Sequence, residues 1–254
     1  MTLFEFSIFG FHIVATWYGL MYALGFIFCF QYMKHRSGIH MKDMENLLLF
    51  IFFGVILGWR LWYVIFYDLW HFISSPGDIF AIWKWGMSFH GGMIGVIIAM
   101  ITFSYRYHYR LFDISDPLVT ILPLALWLGR IGNYLNQELL WFPGYTWPFA
   151  MMKDGISYFP SPLFQAFLEG VILLCIMQLF RWREEKRQKI PWRLSTLFLM
   201  WYGFLRLWAE VYRLPDAHIG YLFGTDWMTL GMIYTLPMII AWITLLLWVK
   251  KRKD

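Results

Sequence analysis

Long apolar runs broken by short polar stretches dominate the chain, and a helix needs roughly 20 apolar residues to cross a hydrocarbon core about 30 Å thick. Seven segments meet that requirement, at about 13–33, 47–67, 87–104, 115–136, 162–180, 194–213 and 228–249. The third and sixth are the most interrupted, by Ser88 to Gly92 and by Arg206 to Arg213. No internal repeat emerges. The longest connection, about 137–161, is punctuated by Pro and Gly and is expected to form a small periplasmic cap. The pattern predicts an all-α polytopic membrane protein, a single helical domain over 1–254.

Composition agrees. With 60% hydrophobic and 15% charged residues, the chain has too little polar surface to cover a soluble globule. Its positive balance, formally +5, is gathered into a few short loops, which argues for membrane orientation and against nucleic-acid binding. Lys34, Arg36 and Lys42 follow the first segment and Arg106 and Arg110 the third. Arg181, Arg183, Lys186, Arg187, Lys189 and Arg193 follow the fifth, and Lys250 to Lys253 the seventh. The opposite loops hold Lys84 and Lys153. The alternation predicts seven crossings, with the amino terminus outside and the carboxyl terminus cytoplasmic. The first eleven residues carry Glu5 and no Lys or Arg, so the first apolar segment is expected to be retained rather than cleaved. Cys29 and Cys175 sit within apolar runs, where a small buried hydrophobe is expected rather than a disulfide, metal ligand or nucleophile.

Candidate chemistry lies in the polar residues that interrupt these segments. Leu128 to Glu138 ends the fourth segment with Arg130, Asn133, Asn136 and Glu138, groups costly to desolvate unless paired, and ionisable groups inside membrane segments usually mark a working site. At about 100° per residue, Arg130, Asn133 and Gln137 share a helix face with Glu138 at its margin, while Asn136 points elsewhere unless the helix has ended. At about 1.5 Å per residue, Arg60, Arg130 and Arg206 each lie roughly 18–23 Å above the cytoplasmic side, with His90 at a similar height, which suggests one outward-facing cavity. Glu210 and Arg213 continue the face begun by Arg206.

Each residue admits a plainer role. Arg130 and Arg206 suit a phosphate clamp, or structural ion pairs of Arg206 with Glu210 and Arg130 with Glu138. Arg60 could join them or hydrogen-bond a neighbouring loop, and Gly54 and Gly58 beside it have the spacing of close helix packing. His90 is a general-base candidate or an ordinary hydrogen-bonding histidine, flanked by Gly91 and Gly92, which allow a close ligand approach. Tyr18 could donate a hydrogen bond to a lipid head group or sit in an interfacial belt. No metal or other cofactor is expected, because the outer half offers no convergent ligand set.

At these residues the chain resembles the bacterial prolipoprotein diacylglyceryl transferases. The likeness runs through Trp17 to Tyr22, Gly86 to Gly92, Gly129 to Glu138, Pro160-Ser161, and Arg206, Glu210 and Arg213 to Asp216 in order. The resemblance implies a seven-span inner-membrane enzyme with its active site in the outer half of the bilayer. It would move the diacylglyceryl group of phosphatidylglycerol onto the lipobox cysteine thiol of a preprolipoprotein and release glycerol phosphate. Carried over by position, the important residues are Tyr18, His90, Arg130, Asn133, Asn136, Glu138, Arg206 and Glu210. The chain departs from the family pattern over Phe159 to Gln165, where a histidine and a carboxylate are replaced, and at Tyr134, Trp141 and Met232. An anionic-solute transporter and a non-catalytic lipid-binding scaffold are the competing functions. The first would place polar residues at both depths, but here the inner halves are almost purely apolar.

Overall fold

The structure, a computed structural model, describes residues 2–8, 11–66, 69–80, 89–186, 190–212 and 220–251. A helix lies over each of the seven apolar segments: α1 (Trp17–Arg36), α2 (Met41–Phe66), α4 (Phe89–Tyr107), α5 (Leu111–Leu135), α6 (Ser161–Glu185), α7 (Arg193–Val211) and α8 (Leu230–Lys251), with a short α3 (Leu69–Ser74). The first helix starts later than the apolar pattern suggests. Residues 11–16 instead form a strand, β2 (Phe11–Thr16), antiparallel to β1 (Thr2–Ile8). The β-branched residues Thr2, Ile8, Ile13, Val14 and Thr16 favour that extended backbone. Thr16 then ends the strand and caps the helix, its Oγ1 accepting the Gly19 N–H at 3.0 Å.

The chain divides into two compact units. In the unit of residues 34–115, α2 and α4 meet backbone to backbone. A Cβ on Gly54 would lie 2.8 Å from the Ala99 Cβ and run into the Gly95 carbonyl, and one on Gly58 would run into the carbonyl of Gly91. Gly54 and Gly58 are thus the packing pair their spacing suggests. Gly91 serves the same contact and Gly92 makes room for the Trp59 ring, so helix contact accounts for both glycines. Arg60 is buried, and its Nε and Nη2 donate to the carbonyls of Ile79 (3.1 Å) and Asp78 (2.6 Å), with the guanidinium over the Phe72 ring. These are the neighbouring-loop hydrogen bonds that were one of its two expected roles.

The other unit joins residues 1–33 to 116–254. Its core lies between α6 and α7, where Leu168, Leu173, Met177, Phe198, Tyr202 and Leu205 pack together, with Leu122 and Leu126 of α5 and Met238 of α8 against them. α1 meets α5 through small residues, a Cβ on Gly25 lying 3.1 Å from that of Ala125. Asp116 at the start of α5 is buried and secures α7, its carboxylate accepting the N–H groups of Trp192 (2.8 Å) and Ser195 (2.9 Å) and the Ser195 hydroxyl (2.6 Å). A negative group at the N-terminus of α7 also complements that helix's dipole. The connection before α6 carries a small hairpin of β3 (Met151–Lys153) and β4 (Ile156–Tyr158), turned by Asp154 and Gly155, both at positive φ. Asp-Gly is the sequence pair such two-residue turns favour.

Four helices are long and apolar enough to cross a bilayer: α2, α5, α6 and Leu230–Leu247 of α8. α2 turns Leu49, Phe52, Phe53, Leu57, Leu61 and Ile65 outward, each about half exposed, a continuous apolar face that belongs against lipid. This is a membrane protein. The glycine contact gives a direct test of the packing. Gly58→Val forces a branched side chain into the backbone of α4, and thermal unfolding in detergent should show a loss of about 1–3 kcal/mol. Gly77→Ala, where an added methyl meets open space, should stay within about 0.5 kcal/mol of the parent.

Candidate active site

Two arginines from separate helices converge on one carboxylate. Arg130, near the end of α5, donates from Nε (3.1 Å) and Nη2 (2.9 Å) to Oε2 of Glu169, and Arg206 of α7 donates from Nη1 to Oε1 of the same group at 3.2 Å. Glu169 has no exposed surface, whereas the arginine side chains keep 18% and 13% of theirs. Arg206 also pairs through Nη2 with Oε2 of Glu210 (2.7 Å), one turn further along α7. Glu210 in turn accepts the Thr229 hydroxyl at 3.0 Å. The carboxylate fits only because residue 231 is glycine, since a Cβ there would strike it. Buried Tyr202 lies one turn before Arg206, its hydroxyl hydrogen-bonded by Arg130.

The backbone around Glu169 is unusual. Ala166–Ile172 is wound as a π-helix within α6, a rare form that recurs at functional sites. Gly170, next to Glu169, lets Trp127 of α5 pack where a Cβ would sit 2.5 Å away. That contact brings the stretch carrying Glu169 close to the helix carrying Arg130.

A second polar group sits where α5 ends. Gln137 adopts φ 56°, the Gln137 N–H returns to the Tyr134 carbonyl and the Glu138 N–H to that of Asn133, each at 3.0 Å. This is a Schellman turn with glutamine in place of the usual glycine. It folds Glu138 back over the last turn, where the carboxylate accepts Nδ2 of Asn133 (2.7 Å) and of Asn136 (3.3 Å). The helix has therefore ended before Asn136, which is how Asn136 joins Asn133. Alongside, the Tyr18 ring of α1 packs on Gly132, and the Tyr18 and Tyr22 hydroxyls share a hydrogen bond of 2.8 Å, with Tyr22 facing Gly129.

Of the residues expected from sequence, Tyr18, Arg130, Asn133, Asn136, Glu138, Arg206 and Glu210 lie within this one unit, with Arg130, Arg206 and Glu210 in a single charged chain. The expected Arg206–Glu210 pair is present. Arg130 pairs with Glu169 instead of Glu138, whose carboxylate the turn delivers to the two asparagines. Glu169 was missed, although a single carboxylate inside the fifth apolar run was the available signal. His90 begins α4, but its side chain lies outside the described residues, as does Arg213.

Fold and site define a class, a helical membrane protein that encloses a charged site among apolar helices. The model of the family described as prolipoprotein diacylglyceryl transferase matches residues 5–248, and the chain belongs to that family. Among its relatives are proteins named phosphatidylglycerol–prolipoprotein diacylglyceryl transferase from three bacteria. That of Teredinibacter turnerae is 41% identical, covering 88% of this chain and 79% of the relative. That of Photobacterium profundum is 40% identical, covering 92% and 89%, and that of Pseudomonas aeruginosa 38%, covering 93% and 90%.

Removing one member of a buried ion network leaves its partners uncompensated, at about 3–5 kcal/mol. Glu169→Gln should lose that much stability in detergent unfolding, because two guanidinium groups lose their shared acceptor. Glu138→Gln, at an exposed position, should change stability by no more than about 1 kcal/mol.

Proposed function

We propose that the chain transfers the diacylglyceryl group of phosphatidylglycerol to the lipobox cysteine thiol of preprolipoproteins, forming a thioether and releasing glycerol phosphate. The observation that carries this is the convergence of Arg130 and Arg206, from separate helices, on one buried carboxylate. Glu169 takes up Nε and Nη2 of Arg130 and Nη1 of Arg206, and a guanidinium carries five N–H donors, more than these bonds use. A lipid phosphate presents several acceptor oxygens, and guanidinium forks bind such groups bidentately.

In the reaction the cysteine loses its proton and its sulfur attacks the glyceryl carbon that bears the phosphate ester. The carbon–sulfur bond forms as the carbon–oxygen bond breaks, and the electron pair leaves with the phosphate. Arg130 and Arg206 stabilise the charge that grows there, the kind of preorganised electrostatic effect that contributes most to catalysis. Glu169 and Glu210 hold the two guanidinium groups in place. Tyr18, Asn133 and Asn136 orient the head group, and Glu138 fixes the two asparagines. Glu210 is engaged by Arg206 and Thr229, so His90 is assigned the role of base. No metal or cofactor enters these steps.

Seven helices cross the bacterial inner membrane, with the amino terminus outside and the site in the outer half, where an exported cysteine arrives. The acyl chains stay in lipid while the head group enters from the side. After replacement of Cys29 and Cys175 by alanine, a cysteine at Lys153 should react with a membrane-impermeant maleimide in intact cells and one at Arg183 should not; the reverse pattern would overturn the orientation.

The activity test is transfer of label from phosphatidylglycerol radiolabelled in its acyl chains to a lipobox peptide. Label should reach the cysteine with the parent protein, and none would reach it if the function is wrong. Arg130→Lys should lower the transfer rate about a hundredfold or more while leaving expression unchanged, because a point charge does not replace a fork. Near-normal turnover would exclude the clamp.

A further inference from the structure

Where α6 ends, a cavity of about 510 Å³ is lined by Phe180, Trp182, Arg183, Glu184 and Lys186, and by Arg193 at the start of α7. Small-molecule sites span about 300–1,000 Å³. Arg183 and Glu169 share one helix, and at 1.5 Å per residue they stand about 20 Å apart, so this cavity is separate from the site at Glu169. Its lining carries three cations to one carboxylate. Rings hold two of those cations: the Arg183 guanidinium lies 6.0 Å from the Phe180 centroid, and the Lys186 ammonium 3.8 Å from that of Trp182. Neither pairs with a carboxylate among the described residues, because Glu185 faces Arg181 and Glu184 faces Arg193. A ring orients a cation without neutralising it, which leaves both charges for an anion. Basic residues after a span also set its orientation. Orientation alone, however, requires neither a cavity shared with α7 nor aromatic rings beneath the charges.

A second feature runs into the cavity. Phe167, Val171, Cys175, Leu179 and Arg183 recur at intervals of four along α6 and are all exposed, an apolar stripe that ends in a guanidinium. Cys175 belongs to this stripe and is not the buried residue its apolar surroundings suggested. Trp182, beside Arg183, is also exposed, an indole where a spanning helix leaves the hydrocarbon. The ligand that matches both parts is negative at one end and carries long apolar chains at the other. Inorganic phosphate matches the cavity alone, and phosphatidylcholine brings its own cation against Arg183 and Lys186. We propose that the cavity binds the head group of an anionic phospholipid whose acyl chains lie along residues 167–179, a kind of site that basic pockets between spanning helices form. This lipid is not the one that reacts, and the site does not depend on the phosphate assigned to Arg130 and Arg206. By touching Arg183 and Arg193 together, it ties the ends of α6 and α7, the helices that carry Glu169 and Arg206.

The test uses the full chain with Cys29→Ala, so that a bimane maleimide labels Cys175 alone, on the stripe itself. The labelled protein is placed in phosphatidylcholine nanodiscs containing a small fraction of lipid with brominated chains, which quench bimane on near contact. Brominated phosphatidic acid is compared with brominated phosphatidylcholine. The parent should prefer the anionic lipid at this position about tenfold. Arg183→Gln with Lys186→Gln, both at exposed positions, should bring that ratio close to one while leaving transfer to a lipobox peptide in detergent nearly unchanged. Equal quenching by the two lipids in the parent, or a preference that survives the double replacement, would overturn the site. Transfer lost together with the preference would overturn its separation from the reacting lipid. Inorganic phosphate, set against chloride at equal ionic strength, should leave the preference intact; if it abolishes it, the cavity takes free phosphate and the lipid assignment falls. If the double variant does not fold, Arg183→Gln alone carries the same readouts.

Discussion

Placing two guanidinium groups among apolar helices is the constraint on which the rest of this structure depends. Each would be prohibitively costly to desolvate alone, and arginine does not escape by giving up its proton. Glu169 answers both at once, giving one carboxylate oxygen to each. The consequence is geometric as well as energetic. A shared carboxylate holds two positive groups from α5 and α7 side by side, where like charges would otherwise spread apart. Glu210 and Thr229 then fix the far side of Arg206. The cluster is balanced, two guanidinium groups against two carboxylates, so the charges compensate one another within the protein.

Local backbone devices deliver these groups. The π-wound turns of α6 carry Glu169, the Schellman turn at Gln137 brings Glu138 onto Asn133, and Gly231 and Gly170 make room for a carboxylate and an indole. Each is a small departure from regular helix, and each lies beside a polar group of the site. Aromatic residues also gather near the start of α6. Trp141 and Phe159 meet edge to face at 5.0 Å and pack with Phe142, Tyr145 and Tyr212.

Much of this was legible in the chain because the bilayer makes sequence patterns loud. Helices lie over all the apolar runs, and Arg130, Arg206 and Glu210 stood out as charges within them. What escaped has specific causes. Residues 11–16 are as apolar as a membrane run, and only their β-branched content distinguishes a strand. An Arg130–Glu138 pair was one of the alternatives because helical spacing puts Glu138 at the margin of that face, and the left-handed residue that turns it away is a glutamine, which carries no turn signal. Glu169 was visible as a lone carboxylate, but its partners come from 39 and 37 positions away, a proximity that only the packing of α6 against its neighbours creates.

The most direct measurement is a cryo-EM structure of the full chain in lipid nanodiscs containing phosphatidylglycerol, at a resolution that locates the lipid phosphate. A phosphate touching the guanidinium groups of both Arg130 and Arg206, with Glu169 still joining them from behind, is the result predicted. A lipid phosphate bound elsewhere, with both arginines closed on Glu169 and Glu210 and no lipid in contact with them, would contradict it.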